Sequence, residues 1–244
     1  MKIIDTYKSP NFDNRNKHLI KYIILHYTAM TDCLEAIEYL CEKSNKVSSH
    51  FLISKTGKIY HLVDIKNRAW HAGKSYWEGI KDLNSSSIGI EIDNSGHFNK
   101  FEKYTNLQIK SLSNLLKKLK KKLNIPSHNI LGHSDISPFR KNDPGEKFPW
   151  QYLSKKGIVY FPKVNKKTLK LREFNSTIKK NKITLHMLKK IGYDTRNVRK
   201  SAKLFRSLIV AYQRHFLPSN VNGKIDLKTF NFICNHYKDI LTLE

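Results

Sequence analysis

Residues 131–145 constrain this chain more than any other stretch. Leu131-Gly132-His133-Ser134-Asp135-Ile136-Ser137-Pro138-Phe139-Arg140-Lys141-Asn142-Asp143-Pro144-Gly145 sets an imidazole and a carboxylate ten residues apart. Pro138 and the closing Pro144-Gly145 predict loop rather than helix between them. A loop of that length can fold back and bring His133 and Asp143 to one metal ion. Far upstream, Tyr22-Ile23-Ile24-Leu25-His26-Tyr27 predicts a buried strand with a further imidazole near its end. Two histidines, one carboxylate and an open fourth position would describe a catalytic zinc site rather than a structural one. Each piece has a plainer reading by itself. A lone histidine after an apolar run is more often packed than ligating, Asp before Pro-Gly is ordinary turn chemistry, and eleven histidines make chance His/Asp neighbours common.

The first two thirds of the chain read as an α/β domain. After the strand at 22–27, Thr31 would cap a helix running to about Glu42, with Leu34, Ile37, Leu40 and Cys41 on one face. Residues 50–54 and 58–63 predict a hairpin around Lys55-Thr56-Gly57. Residues 87–92 predict another strand, in which Glu91 is a lone carboxylate among Ile88, Ile90 and Ile92. A charge there is costly unless it is paired or used, or unless Glu91 sits on a strand edge facing water. Thr105 with Gln108 makes a capping box for a helix bearing Leu112, Leu115, Leu116, Leu119 and Leu123 at helical spacing. Residues 129–132 predict a short strand leading into His133. Strands interleaved with helices predict a central mixed β-sheet flanked by helices.

Five separated blocks agree, in order, with one family. They are Ile24-Leu25-His26-Tyr27-Thr28; Ser48-Ser49-His50-Phe51-Leu52-Ile53 with Gly57 and Ile59 to Val63; Ala69-Trp70-His71-Ala72-Gly73-Lys74-Ser75; Asn84 to Glu91; and Gly132 to Gly145. Together they resemble the zinc-dependent N-acetylmuramoyl-L-alanine amidases of the type-2 group, relatives of the peptidoglycan recognition proteins. The resemblance implies a Zn2+ cofactor held by His26, His133 and Asp143. It implies Glu91 as the base that takes a proton from water and Lys141 as the stabiliser of the oxyanion. In a chain this rich in lysine, Lys141 reads as a solvated side chain without the resemblance. The implied substrate is the amide between N-acetylmuramic acid, or its 1,6-anhydro form, and L-alanine in peptidoglycan or muropeptides. The alternative is a non-catalytic peptidoglycan-recognition protein. His50, Trp70 and Arg140 are candidates to line the groove and contact sugar or peptide carboxylate, with a core position the equal alternative for Trp70. Some relatives use a tyrosine near Ser49-His50. It is missing here, which shifts weight to Glu91.

Behind Trp150 the pattern changes. Residues 1–154 read as the amidase-like domain, 155–182 as a lysine-rich linker or wrapping segment, and 183–244 as a small three-helix domain. Its helices would start at Ile183, near Ala202 and at Asp226, with breaks at Gly192-Tyr193-Asp194 and Leu217 to Gly223. Ala211 to Phe216, Asn222 to Asp226 and Thr229 resemble a peptidoglycan-binding module, so polymer would be the ligand there. A helical domain that merely packs on its neighbour is the other reading.

Composition narrows the partners. A net charge of +25 invites nucleic acid. However, Lys, Asn and Ile are enriched together, and Lys117 to Lys122 reads as the solvated face of an amphipathic helix. A basic surface also suits anionic cell-wall polymer or a membrane surface, so no specific nucleic-acid partner is expected. No run of about 18 apolar residues predicts a transmembrane segment. The N-terminus lacks an apolar signal region. The expected location is a bacterial one: periplasmic if a signal has been removed, otherwise cytoplasmic. Cys33, Cys41 and Cys234 form no Cys-x-x-Cys pair. Cys33 and Cys41 would stand about 12 Å apart on one helix, so reduced thiols are expected.

Overall fold

The structure, a computed structural model, describes residues 3–163 and 177–242. The strands are β1 (Ile3–Ile4), β2 (Phe12–Asn14), β3 (Tyr22–Tyr27), β4 (Phe51–Ile53), β5 (Ile59–His61), β6 (Asn67–Ala69), β7 (Ser87–Ile92) and β8 (Ile130–Gly132). The helices are α1 (Cys33–Cys41), α2 (Leu83–Ser86), α3 (Asn106–Leu123), α4 (His133–Ile136), α5 (Trp150–Lys155), α6 (Thr177–Ile191), α7 (Ala202–Phe216) and α8 (Leu227–Leu241). Among the described residues the main sheet runs β1-β5-β4-β7-β3-β8, and β2 pairs with β6 alone. Every pair in the main sheet is parallel except β4 with β5. This is the mixed sheet flanked by helices that the alternation of elements predicts.

Side-chain alternation along β3 and β7 decides what each face of the sheet does. Ile23, Leu25, Ile88, Ile90 and Ile92 point into a core shared with Leu112, Leu115, Leu116 and Leu119 of α3. The intervening Tyr22, Ile24 and His26, and Ser87, Gly89 and Glu91, point the other way. α3 takes its place with the expected capping box at Thr105 and Gln108. Lys120, Lys121 and Lys122 close it where the helix dipole favours cations. α1 packs Ala36, Ile37 and Leu40 against Leu52, Tyr60 and Leu62. Its cap is Asp32, whose carboxylate accepts from Leu34 N and Glu35 N, and not Thr31. A carboxylate one residue later satisfies the same orphan donors.

The opposite face is closed by the C-terminal helices. Tyr22, Ile24, Leu131 and Ile136 share one core with Leu188, Ile191, Tyr193, Leu208, Tyr212 and Ile233. A largely parallel sheet needs cover on both sides, and α6 to α8 supply the second cover. The helix of α6 opens at Thr177, inside the span expected as linker. Residues 164–176 of that span lie outside the described residues. Ile158 and Val159, also within it, are buried in the first core. Several of the residues behind the peptidoglycan-binding resemblance bond to one another. Gln213 Nε2 donates to Asn222 Oδ1, Lys224 O and Thr229 Oγ1, and Gln213 Oε1 accepts from Asn222 N and Gly223 N. Asp226 caps α8 by accepting from Thr229 N. The cysteines are unpaired, as their spacing predicts.

Ile24 is fully buried between the sheet and the C-terminal helices. Ile24→Ala is expected to cost about 2–5 kcal/mol, read as a lower urea midpoint with unchanged slope. A loss under about 1 kcal/mol would mean that these helices do not cover the sheet.

Candidate metal centre

Strand register brings the site together. β3 and β7 pair in parallel with His26 opposite Glu91, and β3 and β8 pair with Leu25 opposite Gly132. His133 is the next residue after Gly132, so it emerges beside His26 at the carboxyl ends of the strands. This is the edge at which ligands collect in open α/β sheets. His133 is not in loop, as Pro138 led us to expect; it opens the single helical turn of α4. Pro138 falls just past that turn, where it breaks nothing. The chain then folds back, and Ser134 N donates to Asp143 O at 2.9 Å. The Asp143–Pro144 peptide is cis, and Pro144 O accepts from Tyr104 Oη at 2.7 Å. Gly132 lets that return pass closely, because a Cβ there would sit 2.8 Å from Pro144 Cδ.

The outcome is a triangle of donor atoms. His26 Nδ1 lies 2.9 Å from His133 Nδ1, and each lies 3.0 Å from Asp143 Oδ2. All three side chains are buried. Among the described residues this is the one group of His, Cys, Asp or Glu side chains converging in this way. The opposite nitrogens fix the tautomers. His133 Nε2 lies 3.0 Å from Ala72 O, to which it donates, leaving Nδ1 a lone pair. His26 Nε2 donates to His71 Nδ1 at 3.0 Å, and His71 Nε2 donates to Ser87 Oγ at 3.2 Å. Ser87 Oγ in turn donates to Leu83 O. One assignment of protons satisfies the whole relay and leaves His26 Nδ1 free to ligate. Burial first, and then the charge of His133, push the His26 imidazole down to about 4. Burial alone would raise Asp143, but the charges and hydrogen bonds of His133 and His26 outweigh it and hold the carboxyl well below its usual range. A neutral His26 imidazole and an ionised Asp143 carboxylate, with His133 Nδ1 turned to the same point, fit a divalent cation. A tetrahedron with arms of about 2.0 Å has edges of roughly 3.3 Å, close to the triangle seen.

The triangle faces a cavity of about 190 Å³ whose walls include Tyr27, Trp70, Glu91 and Lys141. A second groove of about 370 Å³, with Asp13, Arg68, Trp70 and Arg140 on its walls, continues past it. Glu91 is half-buried, and its Oε2 is enclosed without a partner. Burial, reinforced by Asp143 and opposed by Lys141, raises its carboxyl well above the ordinary value. Trp70 is partly exposed between the grooves, with Nε1 donating to Asp13 Oδ2 at 2.6 Å. Arg140 lies on the outer groove, its guanidinium donating to Ala72 O and Lys74 O.

His50 does not belong in this company. It is fully enclosed, with Nδ1 accepting from Gly89 N and Nε2 beside Arg15 and Asn67 O. Burial pushes its imidazole down to about 3. The expectation that it contacts substrate therefore gives way to a structural role. Two other residues were overlooked by sequence reasoning. Arg15, buried, donates to Ile65 O, Asn84 O, Ser85 O and Ser87 O, tying β7 to the segments before it. His71 orients His26. The available signal for His71 was Gly89, a glycine inside an isoleucine-rich strand, which marks close approach of another group. A Cβ at Gly89 would fall 2.4 Å from His71 Cγ.

Gly89→Ala is accordingly expected to push His71 off His26 and to weaken divalent-metal affinity by about tenfold or more. Competition against a chromogenic chelator reads the effect. Unchanged affinity in a folded variant would show that the relay does not set the ligand.

Comparison with known proteins gives consistent matches. A family model described as N-acetylmuramoyl-L-alanine amidase matches residues 15–146. The N-acetylmuramoyl-L-alanine amidase AmiD of Escherichia coli K12 is 36% identical over 227 residues, covering 86% of this chain and 79% of that protein. The 1,6-anhydro-N-acetylmuramyl-L-alanine amidase AmpD of Haemophilus influenzae is 35% identical over 167 residues, 60% of this chain and 89% of that one. The solved complex of E. coli AmiD with the substrate anhydro-N-acetylmuramic acid-L-Ala-D-gamma-Glu-L-Lys superposes with a TM-score of 0.82 at 31% identity, over 96% of this chain and 93% of the other. AmpDh3 of Pseudomonas aeruginosa in complex with anhydromuramic pentapeptide superposes with a TM-score of 0.81 at 28% identity, over 96% of each chain.

Proposed function

Because this chain belongs to the N-acetylmuramoyl-L-alanine amidase family, we propose that it hydrolyses the amide between N-acetylmuramic acid, or its 1,6-anhydro form, and L-alanine, using zinc held by His26, His133 and Asp143. The observation that carries this reading is the convergence of the three donor atoms beside an enclosed, unpaired carboxyl at Glu91. Two imidazoles and one carboxylate beside the cavity would hold zinc with the donor set of catalytic rather than structural sites. Zinc in such a site supplies a Lewis acid and brings the pKa of water toward about 7.

The chain's own residues do the rest. Glu91 accepts the proton of the attacking water and returns it to the departing amine of L-alanine. Its enclosed position supports this role, since burial makes the carboxylate more basic. Lys141 presents an ammonium on the cavity wall, where it offsets the charge that develops on the carbonyl oxygen. Trp70 walls the cavity on the side where the two grooves meet, which suits a sugar ring or peptide stem. Arg140 is exposed on the outer groove and can take a peptide carboxylate. Relatives solved with anhydromuramyl peptides support muropeptide as the substrate class. A purely recognising protein would have no use for Glu91 beside a complete donor set.

The test is incubation with a defined N-acetylmuramyl tripeptide, with and without chelator, read by mass spectrometry. Free peptide should appear, vanish with chelator and return with zinc. Glu91→Ala should retain zinc and lose about 10²–10⁴-fold in kcat. Normal turnover in that variant would remove the base assignment. No cleavage by the zinc-loaded wild type would overturn the hydrolytic reading.

A further inference from the structure

Asp135 stands two residues beyond His133 and is fully buried, yet nothing in the reaction uses it. Its Oδ2 accepts from Gly132 N at 2.7 Å, on the near side of His133. The same oxygen accepts from His215 Nδ1 at 2.7 Å, and Oδ1 accepts from Tyr193 Oη at 2.6 Å. Both partners come from the C-terminal helical region: Tyr193 follows α6 and His215 lies on α7. The imidazole of His215 is held flat against Trp150, with ring centres 3.7 Å apart and planes at 22°. Trp150 in turn lies under Gly132.

The neighbouring residue on α7 reaches the other end of the same segment. Arg214 Nε lies 3.6 Å from Glu146 Oε2, three residues beyond Asp143. Glu146 Oε2 also accepts from His97 Nε2 at 3.0 Å, and His97 Nδ1 is 2.9 Å from Tyr27 Oη. Tyr27 follows His26 on β3. Consecutive side chains of one helix thus contact both ends of the segment that carries His133 and Asp143, and both belong to the block that resembles a peptidoglycan-binding module.

We propose that the C-terminal helical region is a brace for the metal centre, with Tyr193, Arg214 and His215 as positioning residues that set the geometry of His133 and Asp143. The proposal rests on the zinc-amidase reading for its functional consequence. Its first measurement, zinc affinity, needs no turnover. Outer partners of metal ligands typically change affinity by about 10–100-fold when removed.

The experiment uses the full chain. Zinc affinity is measured by chelator competition, and kcat and KM on a soluble anhydro-muropeptide, for wild type, Tyr193→Phe, His215→Ala and His215→Asn. Ile233→Val is the control. It trims a buried side chain of the same region that takes no part in the clamp, and reports what general loosening does. The brace predicts that Tyr193→Phe and His215→Ala each weaken zinc by about tenfold. Their kcat should fall with KM little changed. His215→Asn, which keeps a donor close to the Nδ1 position, should recover most of the loss. Ile233→Val should lower Tm with zinc affinity as in wild type. Tyr193→Phe removes only a hydroxyl, so it decides the matter should His215→Ala fail to fold. Wild-type affinity in folded Tyr193→Phe and His215→Ala overturns the brace, as does a loss in Ile233→Val that matches theirs for the same change in Tm. A defect confined to polymeric peptidoglycan, with soluble substrate and zinc unaffected, also overturns it and makes the region a polymer-binding module. A wild type that binds zinc without cleaving overturns the hydrolytic reading alone, since the titration still decides the brace.

Discussion

Two imidazole lone pairs and a carboxylate oxygen aimed at one point repel one another, and much of the molecule serves to hold them there. Nothing local to His26, His133 or Asp143 would do so. The parallel register of β3 with β7 and β8 sets the backbone positions. Hydrogen bonds from the far nitrogens to His71 and Ala72 set the ring orientations. Burial keeps the His26 imidazole neutral and ready to ligate. A bound dication would relieve the repulsion, so metal affinity and folding share the same free energy.

The sheet also divides labour between its faces. The isoleucines of β7 point to α3 and make an ordinary core. Ser87, Gly89 and Glu91, alternating with them, furnish the end of the histidine relay, the clearance for His71 and the cavity carboxyl. One short strand thereby contributes to packing and to chemistry without conflict, because a period of two keeps the two sets apart.

Much of this was legible in the sequence, and the limits have physical causes. The strand at 22–27, the capping box of α3, the three donor residues and the odd carboxylate in β7 are local signals, each carried by residue type and spacing. His71 and Asp135 were not legible as supports. Their roles exist only through residues far along the chain: Gly89 and Ser87 for one, Tyr193 and His215 for the other. His50 was misjudged although its strand and its face were right, because segments distant in sequence enclose it. It lies on the face that bears the site, beside Gly89, where Arg15 and Asn67 cover it. The C-terminal helices were recognised as helices, while the internal bonds of Gln213 and the cap of α8 lie among the residues that carried the peptidoglycan-binding resemblance. A turn-forming Asn-Gly and a buried glutamine look alike in sequence whether they serve a partner or their own fold.

The register of β3 and β7 has a consequence for how such chains can diverge. A single residue inserted before Glu91 within β7 would turn its carboxyl to the α3 side and aim an isoleucine into the cavity. The same slip in β3 would bury His26 among leucines. Length changes are therefore excluded from these strands, yet the segment from Ser95 to Lys103, which packs after β7 on the cavity residues Tyr27 and Ala29, is under no such parity rule. Variation in substrate preference among related chains should accumulate there as insertions and deletions, while the strands change only by substitution.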